Sequence, residues 1–109
     1  MTEREPDQNR IRSLADIDQV IHSPSRLTVL AYLYVVESAD FVFLKNMTAL
    51  TWGNLSTHLS KLEEAGYVTS EKGYKGKKPH TMIRLTDAGR VAFREYKQKM
   101  IRVLDDLPD

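Results

Sequence analysis

The stretch TWGNLSTHLSKLEEAGYV, residues 51–68, constrains the fold more than any other part of the chain. Leu55, Leu59 and Leu62 recur at helical spacing and fall on one face. Thr51 stands where an N-cap belongs, and Gly66 stands where a helix ends, because glycine takes a left-handed conformation cheaply. The chain then reads YVTSEK, GYKGKKP and HTMIRL: strand, turn and strand, together a β-hairpin. A helix joined through one glycine to a hairpin leaves few architectures open to a chain of 109 residues, the length of one domain.

The flanking segments narrow the choice. Residues 1–10 are polar and aperiodic and read as a flexible tail. Ile11, Leu14, Ile17 and Ile21 predict a first helix over about 11–21. Ser23 and Pro24 are an N-cap and a first helical residue, opening a second helix to about Glu37. Its Leu27, Leu30, Ala31 and Tyr34 form an apolar face that Val29, Leu33 and Val36 widen, so it is expected to be the most buried helix. Ser38, Ala39 and Asp40 break the pattern, and Phe41, Leu44, Met47 and Leu50 mark a short third helix. Thr86 caps a long last helix, on which Phe93, Tyr96, Met100, Val103 and Leu107 are spaced 3, 4, 3, 4. The order predicts a mainly α fold with a small β-hairpin: a winged helix-turn-helix domain over 11–109, with a three-helix core, a wing, and N- and C-terminal helices for dimerisation.

The helix from Thr51 has an unusual outer side. With its leucines inward, Thr57 points most directly outward, Gly53 and Ser60 flank it on one side, Asn54 and Lys61 on the other, and Ser56 lies nearer the edge. Small and amide-bearing residues let a helix backbone approach base edges in a major groove. Asn pairs with adenine at two points, and the Thr methyl meets a thymine methyl. Gly53 suits a close approach of the helix start to phosphate. Trp52 lies between the two faces and is expected to pack against the second helix or to join the contact surface. His58, on the opposite flank, is expected to pack or to bond a phosphate. The hairpin adds Lys72, Lys75, Lys77 and Lys78, suited to sequence-independent phosphate contact. Residues 41–80 hold six lysines against three glutamates, whereas the whole chain carries only +1. Ser and Thr are ordinary on solvated helices, and a lysine-rich turn is most often only a soluble one; their pairing at this spacing is what points to nucleic acid.

Other chemistries find little support. Without cysteine there is no disulfide, thiolate nucleophile or Cys-based zinc site. His22, His58 and His80 lack metal-ligand spacing, and Glu63 and Glu64 point about 100° apart on a helix. No phosphate-binding glycine loop or nucleophile elbow is present. The expectation is a non-enzyme without metal or cofactor. No apolar run approaches the roughly 18 residues of a membrane span, and the start lacks a signal-peptide core, so the chain is read as cytoplasmic.

The GNLSxHLxxLExxGY pattern, followed by a basic loop and the RLTxxG of Arg84, Leu85, Thr86 and Gly89, resembles the winged-helix transcriptional regulators related to the MarR and ArsR groups, over about residues 11–105. The resemblance implies dimeric DNA binding and transcriptional control. It carries Asn54, Ser56, Thr57 and Lys61 over as base or phosphate contacts. It also departs from the family pattern. Such proteins often have Gly in the turn before the recognition helix, where this chain has Ala49, at a cost of roughly 1 kcal/mol if a positive φ is needed there. The Cys-rich site of the arsenical-sensing branch is absent, and no ligand motif replaces it, so an effector stays undefined.

The last helix's stripe runs past the wing and, with Ile11, Leu14, Ile17 and Ile21, is expected to form a two-fold interface; the other possibility is that both helices fold back on their own domain. A symmetric dimer predicts a pseudo-palindromic double-stranded DNA operator. The leading reading is a homodimeric repressor with the helix over about 51–65 in the major groove and the wing over 72–80 on phosphates. Its rivals are a winged-helix module that docks onto transcription machinery and an RNA-binding winged helix.

Overall fold

The computed structural model describes residues 11–109. A 3-10 turn at Ser13–Asp16 is followed by α1 (Pro24–Val36), β1 (Ser38–Asp40), α2 (Phe41–Thr48), α3 (Trp52–Glu64), β2 (Val68–Lys75), β3 (Lys78–Leu85) and α4 (Asp87–Asp105). The tail expected over residues 1–10 lies outside the described residues. The sheet has the order β1-β3-β2 with both pairings antiparallel. Its core-facing side meets α1, α2 and α3 around Leu30, Leu33, Leu44, Leu55, Leu62 and Ile83, all fully buried.

Local chemistry sets the boundaries. Ser23 accepts the Arg26 N–H at the start of α1, and Asp40 accepts the Phe43 N–H at the start of α2. Thr51 accepts the Asn54 N–H at 3.1 Å to open α3. At the other end of α3, the Tyr67 N–H reaches the Leu62 carbonyl and the Gly66 N–H reaches that of Glu63, each at 2.9 Å. With Gly66 at φ 81°, this is a Schellman end. Thr86 accepts the Gly89 N–H at 2.9 Å and donates to the Gly66 carbonyl at 2.6 Å. Gly89 itself lies against the wing root: a Cβ there would fall 2.2 Å from the Tyr67 carbonyl oxygen. The Thr and Gly of RLTxxG are thus the residues that lock α4 to the junction between α3 and β2.

Several expectations need correction. The first helix does not run to residue 21. Residues 11–12 are helical and Ser13–Asp16 form the 3-10 turn, but Ile17 is extended at ψ 153°. The Asp18 carboxylate takes the N–H groups of Val20 and Ile21 at 2.9 and 3.2 Å, closing a local turn in competition with the helix. Ser38–Asp40 does break the helical pattern, but as a strand rather than a loop: it is β1, the third member of the sheet, with Ala39 opposite Ile83. The hairpin turn is shorter than GYKGKKP: the ladder continues to Lys75 opposite Lys78, leaving Gly76 and Lys77, with Gly76 at φ 65°. The expectation for α1 holds: it buries Val29, Leu30 and Leu33 and is the least exposed of the helices, although Val35 is 80% exposed and Ala31 and Val36 also face out.

The interface stripe is the largest revision. Ile17, Ile21, Tyr96 and Val103 are buried within the chain itself, and Leu14, Phe93 and Met100 pack partly on its core. Of the nine residues, only Ile11 and Leu107 are exposed. A heptad-like stripe fits a protein's own core as well as a partner helix, and here the chain's own core takes most of it.

Candidate nucleic-acid interface

α3 shows the two-sidedness its sequence suggests. Leu55, Leu59 and Leu62 are buried, while Gly53, Asn54, Ser56, Thr57, Ser60 and Lys61 are all exposed. The Thr57 hydroxyl donates to the Gly53 carbonyl at 3.0 Å, which engages its one proton and leaves the oxygen able to accept. A Cβ at Gly53 would meet nothing within 4 Å, so no internal contact requires glycine there. Trp52 does not pack on α1. It stacks on Phe41 of α2, with centroids 5.2 Å apart and planes 6° apart, under the Lys45 ammonium, and it remains 54% exposed.

The wing projects beside this face. Alternation puts Ser70, Lys72 and Tyr74 on the side that also carries Thr81 and Ile83, and Lys75 and Lys78 on the other, with Lys77 at the tip. All four lysines are exposed. Trp52, Ser56, Ser60, Lys72 and Thr81 converge on an open groove of about 600 Å³ floored by Leu59 and Ile83. The fold therefore brings Trp52, Ser56, Ser60 and Lys72 together. Asn54, Thr57 and Lys61 face outward beyond the groove, and Lys75, Lys77 and Lys78 sit at the distal wing. Glu63 accepts a hydrogen bond from Ser70, tying the end of α3 to the wing's first strand. Asp40, besides capping α2, lies 3.7 Å from His80 on β3.

Sequence reasoning passed over Arg26. Its guanidinium donates to the carbonyls of Val20 and Gln19, and reaches His58 Nδ1 of α3 at 3.0 Å. Burial first, then the charges of Arg26 and Lys61, pull the His58 pKa below its usual value, so the ring is neutral near pH 7. The partners are 32 positions apart, and no local pattern announces the pair. At the wing root the Tyr67 hydroxyl donates to Asp18. Burial and that carboxylate push the Tyr67 pKa up to about 12.

Residues 25–104 match the family described as the winged helix DNA-binding domain. The chain belongs to this family. In winged-helix terms, α2 and α3 make the helix-turn-helix and β2–β3 the wing. An uncharacterized protein of Methanocaldococcus jannaschii is 39% identical over 85 residues, spanning 78% of this chain and 92% of that protein. The winged-helix fold is shared with a transcriptional regulator homologue from Pyrococcus horikoshii OT3, at TM-score 0.81 and 24% identity, over 90% of this chain and 96% of that one. It is shared too with an E. coli MarR variant solved with operator DNA, at TM-score 0.64 and 19% identity, over 93% and 70% of the two chains. No helix among the described residues is long and apolar enough to cross a membrane.

Proposed function

We propose that this winged-helix protein is a homodimeric, sequence-specific regulator of transcription that reads double-stranded DNA with α3 and holds phosphates with the β2–β3 wing. The observation that carries the reading is the outward face of α3. It is uncluttered, polar and fixed on a buried leucine seat, and it stands beside an exposed arm with four lysines. Asn54 and Thr57 address base edges, Lys61 and the wing lysines address phosphate, and Trp52, Ser56 and Ser60 line the groove between the two elements. The E. coli MarR neighbour, which shares the fold, was solved with operator DNA, and this supports the reading. The protein acts as a repressor in this reading, because a dimer seated on an operator blocks a promoter by occupancy alone.

Dimerisation falls to what α4 and the N-terminal segment leave uncovered: Ile11, Ile101, Leu104 and Leu107, exposed at 38, 47, 55 and 40%. A two-fold axis there sets the two α3 helices against half-sites about one DNA turn apart, on a pseudo-palindromic operator. The test is fluorescence anisotropy against tiled duplexes from upstream of the protein's own gene, with random duplex as competitor. One tile bound about a thousandfold over random is expected. Equal, salt-sensitive binding to every tile would overturn sequence specificity.

One observation favours a second reading, docking onto a protein partner. Tyr32, Val35 and Met47 line an apolar groove of about 590 Å³ between α1 and α2, on residues without charge. That reading predicts weak DNA binding without sequence preference.

A further inference from the structure

Resting on the placement of α3 against DNA, we infer that His58 is an additional phosphate-contacting residue, a neutral donor, and that Arg26 is the positioning residue that makes it one. A guanidinium has donors only. At 3.0 Å from Arg26 Nη1, His58 Nδ1 must therefore be the acceptor, which places the ring's single proton on Nε2. Arg26 is itself immobilised by the carbonyls of Val20 and Gln19 in the segment before α1, so the tautomer is fixed by a fork anchored on three sides.

His58 lies one helical turn from Asn54 and three residues from Lys61, on the flank between the buried Leu55 and Leu62 and the exposed recognition face. It is only partly buried, and Nε2 is on the side of the ring away from Arg26. An N–H there, at the rim of the face and beside the Lys61 ammonium, is suited to a phosphate oxygen of the backbone that borders the groove. Arg26 and Lys61, the two cations whose charges act on His58, both oppose a second proton on the ring. The contact is therefore made without a charge. That distinguishes it from the lysines. A lysine on phosphate releases a counterion and steepens the salt dependence of binding, whereas a neutral donor adds affinity and leaves the slope alone.

The test combines two variants, DNA titrations and NMR of the full chain. Asn at position 58 keeps an oxygen where Nδ1 accepts from Arg26 but has nothing at the Nε2 position. Gln keeps an amide donor near Nε2. His58→Asn is expected to lose about tenfold in affinity for cognate and random duplex alike, with an unchanged salt slope. His58→Gln should recover most of that loss. Lys61→Ala, by contrast, should flatten the slope by about one unit. Long-range ¹⁵N correlation spectra of the DNA-free protein are expected to show a protonated Nε2 and a bare Nδ1 on His58. In Arg26→Lys, which keeps the charge and loses the fork, the two tautomers should mix. Wild-type affinity in His58→Asn would overturn the phosphate contact, and a protonated Nδ1 in the wild type would overturn the role of Arg26. Failure of the wild type itself to bind any duplex would instead defeat the placement of α3 on DNA; the NMR result stands apart from it.

Discussion

The recognition helix and the wing solve opposite problems. α3 buries one side completely through Leu55, Leu59 and Leu62, is capped by Thr51 and closed by Gly66, and so holds its outer residues in fixed positions. Every residue of β2 beyond Val68 is exposed, and the distal wing is held mainly by its own ladder. Base reading depends on geometry at the scale of a hydrogen bond, which a helix seated on a core can supply. Phosphate contact tolerates imprecision, which suits lysines on a protruding ribbon. In the proposed reading, the difference assigns specificity to the rigid element and salt-sensitive affinity to the exposed one.

Substitutions can sharpen or break that contrast. Leu55→Ala should cost about 3 kcal/mol in urea unfolding, because it opens a cavity beneath the helix; Tyr74→Ala on the wing, 77% exposed, should change stability by less than about 0.5 kcal/mol. Comparable losses would mean that the wing is as deeply integrated as the helix. Gly89→Ala should cost about 2 kcal/mol in the same assay, since its Cβ would collide with the Tyr67 carbonyl at the wing root. A tolerated alanine would show that root and α4 are free to separate.

A smaller effect concerns the turn that aims α3. Ala49 takes the left-handed conformation at φ 57° and ψ 26°, so Ala49→Gly should stabilise the protein by about 0.5–1 kcal/mol, read as a shift of the urea midpoint. Two further changes are expected on titration, one from each element. His58, on α3, has a folded pKa below its ordinary 6.5, so the unfolded chain takes up a proton first and stability falls as pH drops below about 6.5. Tyr67, at the wing root, has a folded pKa near 12 against an ordinary 10. Its contribution is intact below pH 10 and is lost as pH rises from 10 towards 12. Thermal melts across pH should show His58→Asn flattening the acid limb and Tyr67→Phe the alkaline one.

Features governed by neighbours in sequence were legible. The caps Ser23, Thr51 and Thr86, the terminator Gly66 and the leucine face of α3 all follow from local steric and hydrogen-bonding rules, while the possible positive φ at Ala49 comes only from the family resemblance. What escaped depends on distant partners. β1 is three residues long and becomes a strand only because β3 lies beside it. Asp18 turns the chain where apolar spacing suggested more helix. The spacing of Tyr96 and Val103 says that they are buried without saying by what. Glu37, at φ 69°, carries no sequence sign of its strain, and its carbonyl accepts from Leu85 across the fold. In the candidate site, the face of α3 and the lysines were legible one by one. The groove they share, the stack of Trp52 on Phe41 and the Arg26–His58 pair were not, because each joins elements that only the fold brings together.

The most direct test compares two variants on the operator tile and on random duplex, with salt varied. Asn54→Ala should cost about 1–3 kcal/mol on the operator and less on random DNA, with the salt slope unchanged. Lys75, Lys77 and Lys78 changed together to Ala should weaken both duplexes equally and flatten the slope. If Asn54→Ala instead weakened both duplexes equally, or the triple variant kept the wild-type slope, the division of labour between helix and wing would be wrong.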